Sequence, residues 1–168
     1  MSDKPVYYLD ACIFLTYLKN ENKIQYLLEG VKKLFDDFGK NKCIIVTSTI
    51  TKIEVMPHES RPEADKILDG IFKRSNFQWI EAGIKVVELA RKLRIHCRDN
   101  DNFNLFTPDA IHLASAIIYQ SKTFYTTDGC KKDGQKVKLL GLSDHEIFRG
   151  LTIETPIANQ QDIFILDK

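Results

Sequence analysis

Cys43-Ile44-Ile45-Val46-Thr47 is the stretch that decides the class of fold. The run is β-rich, too short for a helix and lacks polar alternation. It therefore reads as a strand buried on both faces, the habit of a parallel sheet covered by helices. Upstream, Ile24, Leu27, Leu28, Val31, Phe35 and Phe38 recur at helical spacing and Gly39 ends the run. Before that helix, Val6-Tyr7-Tyr8-Leu9 predicts a first strand and residues 11–19 a short helix. Downstream, Ser48 or Thr49 can cap a helix running to about Met56, where Pro57 stops it. Ser60, Pro62 and Glu63 open another helix, to about Arg74.

Phe77-Gln78-Trp79-Ile80 predicts a further strand, and Val86, Ala90, Leu93 and Cys97 mark the apolar face of a helix. A polar loop over residues 98–106 leads to Thr107-Pro108-Asp109, read as N-cap, N1 proline and N2 acid. These open an apolar, central helix to about Tyr119, followed by a strand at Thr123-Phe124-Tyr125-Thr126-Thr127. Residues 137–140 predict one more strand, and 151–154 and 163–166 two edge strands. Strands alternating with helices imply an α/β sandwich with a mainly parallel central sheet. In such sheets ligands bind beyond the carboxyl ends of the strands.

The chain has 168 residues, 43% hydrophobic and 28% charged, with 24 Lys+Arg against 23 Asp+Glu. This predicts one domain with a sizeable core, and excludes disordered, collagen-like and disulfide-scaffold classes. A balance of +1 argues against a strongly basic nucleic-acid binder. Residues 1–5 contain no apolar segment of a secretory signal, and no apolar run approaches the roughly 18 residues of a membrane span. Cys12, Cys43, Cys97 and Cys130 form no CxxC pair and read as small thiols in a reducing, cytoplasmic setting. The histidines lack HxxxH or HExxH spacing, so zinc is not expected. No GxxxxGK[ST] or strand-following GxGxxG occurs, which excludes P-loop and dinucleotide-binding readings.

Four carboxylates stand in telling places. Asp10 follows the first predicted strand, and Asp128 follows the one that starts at Thr123. Glu54 lies on the helix after the second strand, and Asp109 in the first turn of the central helix. Each has a plain explanation alone: Asp10 as a helix cap, Glu54 as a solvated helix residue, Asp109 as a helix-dipole acid, Asp128 as part of an Asp-Gly turn. With parallel strands, however, all four belong to the same end of the sheet. Clustered carboxylates repel, so holding them ionised requires a cation, and hard oxygen ligands point to Mg²⁺ or Mn²⁺.

The flanks of these acids carry a family resemblance. Tyr8-Leu9-Asp10-Ala11, then Ser48-Thr49-Ile50-Thr51-Lys52-Ile53-Glu54-Val55, then Thr107-Pro108-Asp109-Ala110-Ile111-His112-Leu113-Ala114, then Thr126-Thr127-Asp128 together resemble the PIN domain, particularly VapC-type toxins. The likeness spans about residues 6–140, leaving a C-terminal extension over about 141–168. It implies a three-layer α/β/α sandwich and a metal-dependent endoribonuclease using metal-activated water. Asp10, Glu54, Asp109 and Asp128 would then be both catalytic and metal-binding, holding one or two Mg²⁺ or Mn²⁺ ions. It also implies an RNA substrate, a small antitoxin partner and a homodimer. A non-toxin RNA-processing PIN nuclease and a non-catalytic PIN-fold binding module are the alternatives, and the latter would be expected to lose one or more acids. The haloacid-dehalogenase-like phosphatases also place an Asp after the first strand, but need a second Asp where Cys12 stands.

Around the quartet, Thr127 is expected to hold a metal-bound water or orient Asp128, and Ser48 or Thr51 to orient Glu54, with plain capping as the alternative for each. His112, one turn from Asp109, reads as a satisfied core histidine, and Asp99, Asp101 and Asp133 as loop polarity. Setting aside the four candidate ligands leaves 24 basic residues against 19 acidic ones, a balance of +5. Arg91 to Arg98 reads as a solvated helix face. Lys131 and Lys132, with Lys136 and Lys138, follow Asp128 closely enough to meet an RNA backbone.

Overall fold

The computed structural model describes residues 4–19, 25–55, 62–100, 103–129, 138–142, 145–148 and 150–158. Its strands are β1 (Val6–Leu9), β2 (Ile44–Ser48), β3 (Phe77–Ile80), β4 (Thr123–Tyr125) and β5 (Thr152–Glu154). All neighbouring pairs are parallel, in the order β3-β2-β1-β4-β5. The helices are α1 (Ala11–Lys19), α2 (Gln25–Gly39), α3 (Thr51–Glu54), α4 (Pro62–Phe72), α5 (Ile84–Asn100), α6 (Thr107–Ile118) and α7 (Lys138–Gly141), with a 3-10 turn at Glu146–Phe148. No helix among the described residues is long and apolar enough to cross a membrane.

Strand side chains alternate between faces, so a sheet with apolar residues at consecutive positions supports two cores. On one face Tyr8, Val46, Phe124 and Ile153 pack with Leu93 and Leu113 of α5 and α6. On the other, Leu9, Ile45 and Phe77 pack with Phe14 of α1, Val31 and Phe35 of α2 and Leu68 of α4. Ile45 and Val46 are thus adjacent in sequence, opposite in direction and both buried, as the apolar run predicts. The result is the expected α/β/α sandwich around a parallel sheet.

From β1 the chain builds β2 and β3 to one side, then returns to add β4 and β5 on the other. The winding direction therefore reverses between β1 and β4, whose carboxyl ends become neighbours. Main-chain bonds extend the sheet past these ends: Asp10 N–H donates to the Tyr125 carbonyl at 3.1 Å, and Thr126 N–H to that of Glu154 at 3.0 Å.

Several local expectations are corrected. Residues 138–141 form a short helix rather than a strand, burying Leu139 and Leu140, because so short an apolar run carries no periodicity that separates the two. Phe106, not Thr107, occupies the cap of α6, which moves Asp109 one position deeper into the first turn. The cap of α3 is Ile50, with no side-chain capping bond, where Ser48 or Thr49 was expected. Helix α5 continues to Asn100, shortening the expected loop. Met56, Pro57, Ser60 and the predicted strand at 163–166 lie outside the described residues.

The segment after β5 lies hard against α2. A Cβ at Gly30 would collide with the Pro156 carbonyl. Gly30→Ala is therefore expected to destabilise the fold by about 1–3 kcal/mol through overpacking, read as a lower Tm. An unchanged Tm would show that this segment does not lie on α2.

Candidate metal-binding and catalytic site

The site begins where β1 ends. Asp10 is buried, and its Oδ2 accepts hydrogen bonds from Thr126 Oγ1 at 2.8 Å and from Cys12 Sγ at 3.1 Å. Thr126 Oγ1 in turn accepts the Asp128 N–H at 3.0 Å, closing a local turn of a kind that threonine favours. One buried hydroxyl thus joins the acid after β1 to the acid after β4. Sequence reasoning assigned this place to Thr127, which instead donates its main-chain N–H to Cys12 Sγ at 3.1 Å. The Thr-x-Asp spacing of the turn was the signal that identifies Thr126.

Cys12 is more than a filler of the core. Its thiol also lies 3.3 Å from Thr126 Oγ1, so it bridges the start of α1 and the end of β4. Burial, reinforced by the Asp10 charge, pushes its pKa well above the ordinary thiol range, so it stays protonated and donates to the carboxylate.

Glu54, the last residue of α3, is oriented by His112 rather than by a hydroxyl. His112 Nε2 lies 2.6 Å from Glu54 Oε2 and 3.7 Å from Asp10 Oδ1. The other ring nitrogen, Nδ1, meets Tyr8 Oη at 2.7 Å, and Tyr8 Oη accepts the Ser48 N–H at 2.9 Å. A carboxylate only accepts, so Nε2 carries the hydrogen that meets Glu54 Oε2, while Nδ1 and Tyr8 Oη share a hydrogen bond. His112 is the buried, satisfied histidine expected, and it also holds a carboxylate of the quartet. Ser48 Oγ accepts the Ile50 N–H at 3.4 Å, while Thr51 Oγ1 pairs with Thr47 Oγ1 at 2.7 Å. Thr47 Oγ1 donates on to the Leu9 carbonyl, so Thr51 fastens α3 to the sheet.

Asp109 completes the set from the first turn of α6, half-buried. Burial, then the charges of Asp10 and Asp128, with Glu54 adding and His112 opposing, push its carboxyl from 3.8 up to about 6. Four elements far apart in sequence therefore place four acids within one electrostatic field. Lys138 Nζ sits 3.1 Å from Asp128 Oδ1, a cation already drawn to this cluster. Lys131 and Lys132 lie outside the described residues.

This donor set suits a hard divalent cation: carboxylate oxygens dominate, and the one thiol is protonated. Among the described residues, no three ligating side chains stand ready-made around a metal position. Asp10, Glu54 and Asp128 each have one carboxylate oxygen bonded to a donor of the chain. A bound cation would have to draw the carboxylates in against those bonds.

The raised Asp109 pKa carries a sign. Between about pH 3.8 and about pH 6 the folded chain binds this proton more tightly than the unfolded chain does, so metal-free stability falls as pH rises through that window and stays lost above it. Asp109→Asn is expected to raise the Tm in EDTA at neutral pH, with the gain shrinking towards about pH 4. Thermal melts across pH check this; a gain equal at both ends would remove the repulsion argument. Thr126→Val should lower stability by about 1–3 kcal/mol, because it strands the part-buried Asp128 N–H and leaves Asp10 Oδ2 with Cys12 as its donor.

Comparison with known proteins places this geometry. No curated protein sequence matches the chain. Among solved structures, VapBC2 of Rickettsia felis bound to a DNA fragment from their promoter aligns with a TM-score of 0.61 at 15% identity, covering 89% of this chain and 98% of that one. A toxin–antitoxin complex from Klebsiella pneumoniae aligns with a TM-score of 0.53 at 18% identity, covering 91% and 99%. At such identities the likeness is one of fold. The PIN domain profile matches residues 7–129, from the start of β1 to the turn beyond Asp128, and so spans all four acids. The chain belongs to the PIN domain family.

Proposed function

We propose that this protein is a metal-dependent endoribonuclease and the toxin of a toxin–antitoxin pair. The observation that carries the reading is the grouping of Asp10, Glu54, Asp109 and Asp128: burial first, and then the charges of Asp10 and Asp128, push the Asp109 carboxyl up to about 6. PIN domains are a family of nucleases, and a quartet of acids at the carboxyl end of a parallel sheet is where such a fold binds its ligand. The toxin assignment draws support from the two structural neighbours, both seen in toxin–antitoxin complexes. The proposed partners are thus an RNA substrate, a small antitoxin protein and a second copy of the chain, in the cytoplasm.

Asp10, Glu54, Asp109 and Asp128 would hold one or two Mg²⁺ or Mn²⁺ ions. Such ions, when bound, activate water near neutral pH and offset charge developing on the phosphate oxygens. The rest of the work falls to the chain itself. Thr126 and Cys12 aim the Asp10 carboxylate by donating to a single oxygen, Oδ2. His112 fixes Glu54 through Nε2–H, and is itself held from the core by Tyr8. Lys138 balances Asp128 in the absence of a metal.

RNA-end sequencing after brief expression of the wild type and of Asp10→Ala tests this directly. New ends are expected from the wild type only, and purified protein should lose cleavage in EDTA and in Asp109→Ala. Full activity in Asp10→Ala would overturn the metal-site reading. His112→Ala, which frees Glu54 without removing a ligand, is expected to lower activity or metal affinity about 10–100-fold. Added Mn²⁺ should partly rescue it.

A further inference from the structure

A site built from four carboxylates repels the polyanion it is proposed to cut, so cationic groups must bring the substrate in. A groove of about 450 Å³ between α5 and α6 supplies them, lined by Arg91, Arg94, Arg98, Asn104 and Thr107 above a floor that includes Ile95 and Ile111. The three arginines are exposed and spaced by three and four residues, so they share one helix face at intervals of roughly 5 Å along the axis. That is a row suited to successive phosphates rather than a single anion. Among the described residues no acidic side chain lines the groove, although Asp99 Oδ1 holds Arg98 Nε at 2.7 Å from the side.

Two further features point to single-stranded nucleic acid. Phe106 is 63% exposed, and it stands in sequence between the groove residues Asn104 and Thr107 and directly after Leu105, whose carbonyl Arg94 holds. Stacking on such rings next to a cationic track is how unpaired strands are bound without sequence preference. Arg94 Nε donates to the Leu105 carbonyl at 2.9 Å, which fixes the loop that presents this ring. The groove also leads to the chemistry, since Thr107 lines it and Asp109 stands in the same first turn of α6.

We infer that this groove binds the backbone of single-stranded RNA, with Arg91, Arg94 and Arg98 meeting phosphates and Phe106 stacking under a base. The inference rests on the ribonuclease reading and names the surface by which its substrate enters. Binding replaces the Asp99 contact of Arg98 with a phosphate and carries the strand around the start of α6 to the acidic site.

The test is fluorescence anisotropy of the full chain with a labelled, unstructured RNA in EDTA, where binding is read without cleavage, across a salt series. Arg91→Gln/Arg98→Gln is expected to weaken binding roughly tenfold and to flatten the dependence of log K on log salt by about 1.4, or about 0.7 per lost phosphate contact. Phe106→Ala should weaken binding about tenfold with the salt slope unchanged, because stacking releases no counterions. Arg94 is left intact for its role in the loop, and unchanged melting confirms that the variants fold. Wild-type affinity and slope in both variants would overturn the inference. So would the absence of salt-dependent RNA binding by the wild type, or weakened binding of a co-expressed protein partner with RNA binding intact. The two readings fail separately. Groove-dependent binding without cleavage removes only the nuclease assignment, and cleavage with unchanged binding removes only the groove.

Discussion

Like-charge repulsion among Asp10, Glu54, Asp109 and Asp128 is the constraint on which the rest of this structure depends. Burial first, and then the charges of Asp10, Asp128 and Glu54, raise the Asp109 carboxyl, and four carboxylates gather only under a force from the scaffold. Two apolar cores supply it. Tyr8, Val46 and Phe124 pack on one face of the sheet, and Leu9 and Ile45 on the other, so the ends of β1, β2 and β4 have little freedom to splay. The burial and charge that raise Asp109 therefore work against the stability of the metal-free fold at neutral pH.

Proton donors moderate the repulsion. Thr126 and Cys12 serve Asp10, His112 serves Glu54 and Lys138 serves Asp128, each from a different element. The chain Ser48–Tyr8–His112–Glu54 runs from the core to the site's edge, and its interior members are fully buried. In that low-dielectric setting each bond is strong and each lost partner expensive, which makes the orientation of Glu54 a property of the core. The exposed Lys138–Asp128 pair is the weakest of these restraints and the easiest for a cation or a phosphate to displace.

Much of this was legible beforehand, for identifiable reasons. Strands at residues 6–9, 44–48 and 77–80 and the helices from 25 to 39 and 84 to 100 follow from apolar periodicity, which is local. The four acids could be picked out because each stands at an element boundary on one end of a parallel sheet. The failures lie where local pattern is silent. Residues 138–141 became a helix because Leu139 and Leu140 could be buried that way as well as in a strand. The sequence points to Thr127 and does not single out Thr126, because which of two neighbouring hydroxyls turns inward depends on the last strand residue, a matter of one position.

Sequence by itself determined the alternation of strands and helices, the parallel sheet and the chemical hardness of the candidate ligands, since all of these reside in residue type and short-range spacing. Only the tertiary structure decided that Asp10 meets Thr126 across 116 positions, that His112 reaches back 58 positions to Glu54, and that Cys12 belongs to the site. The physical reason is that strand order β3-β2-β1-β4-β5 makes neighbours of the ends of β1 and β4. Hydrogen bonds made there depend on side-chain direction across that junction, which no local period encodes.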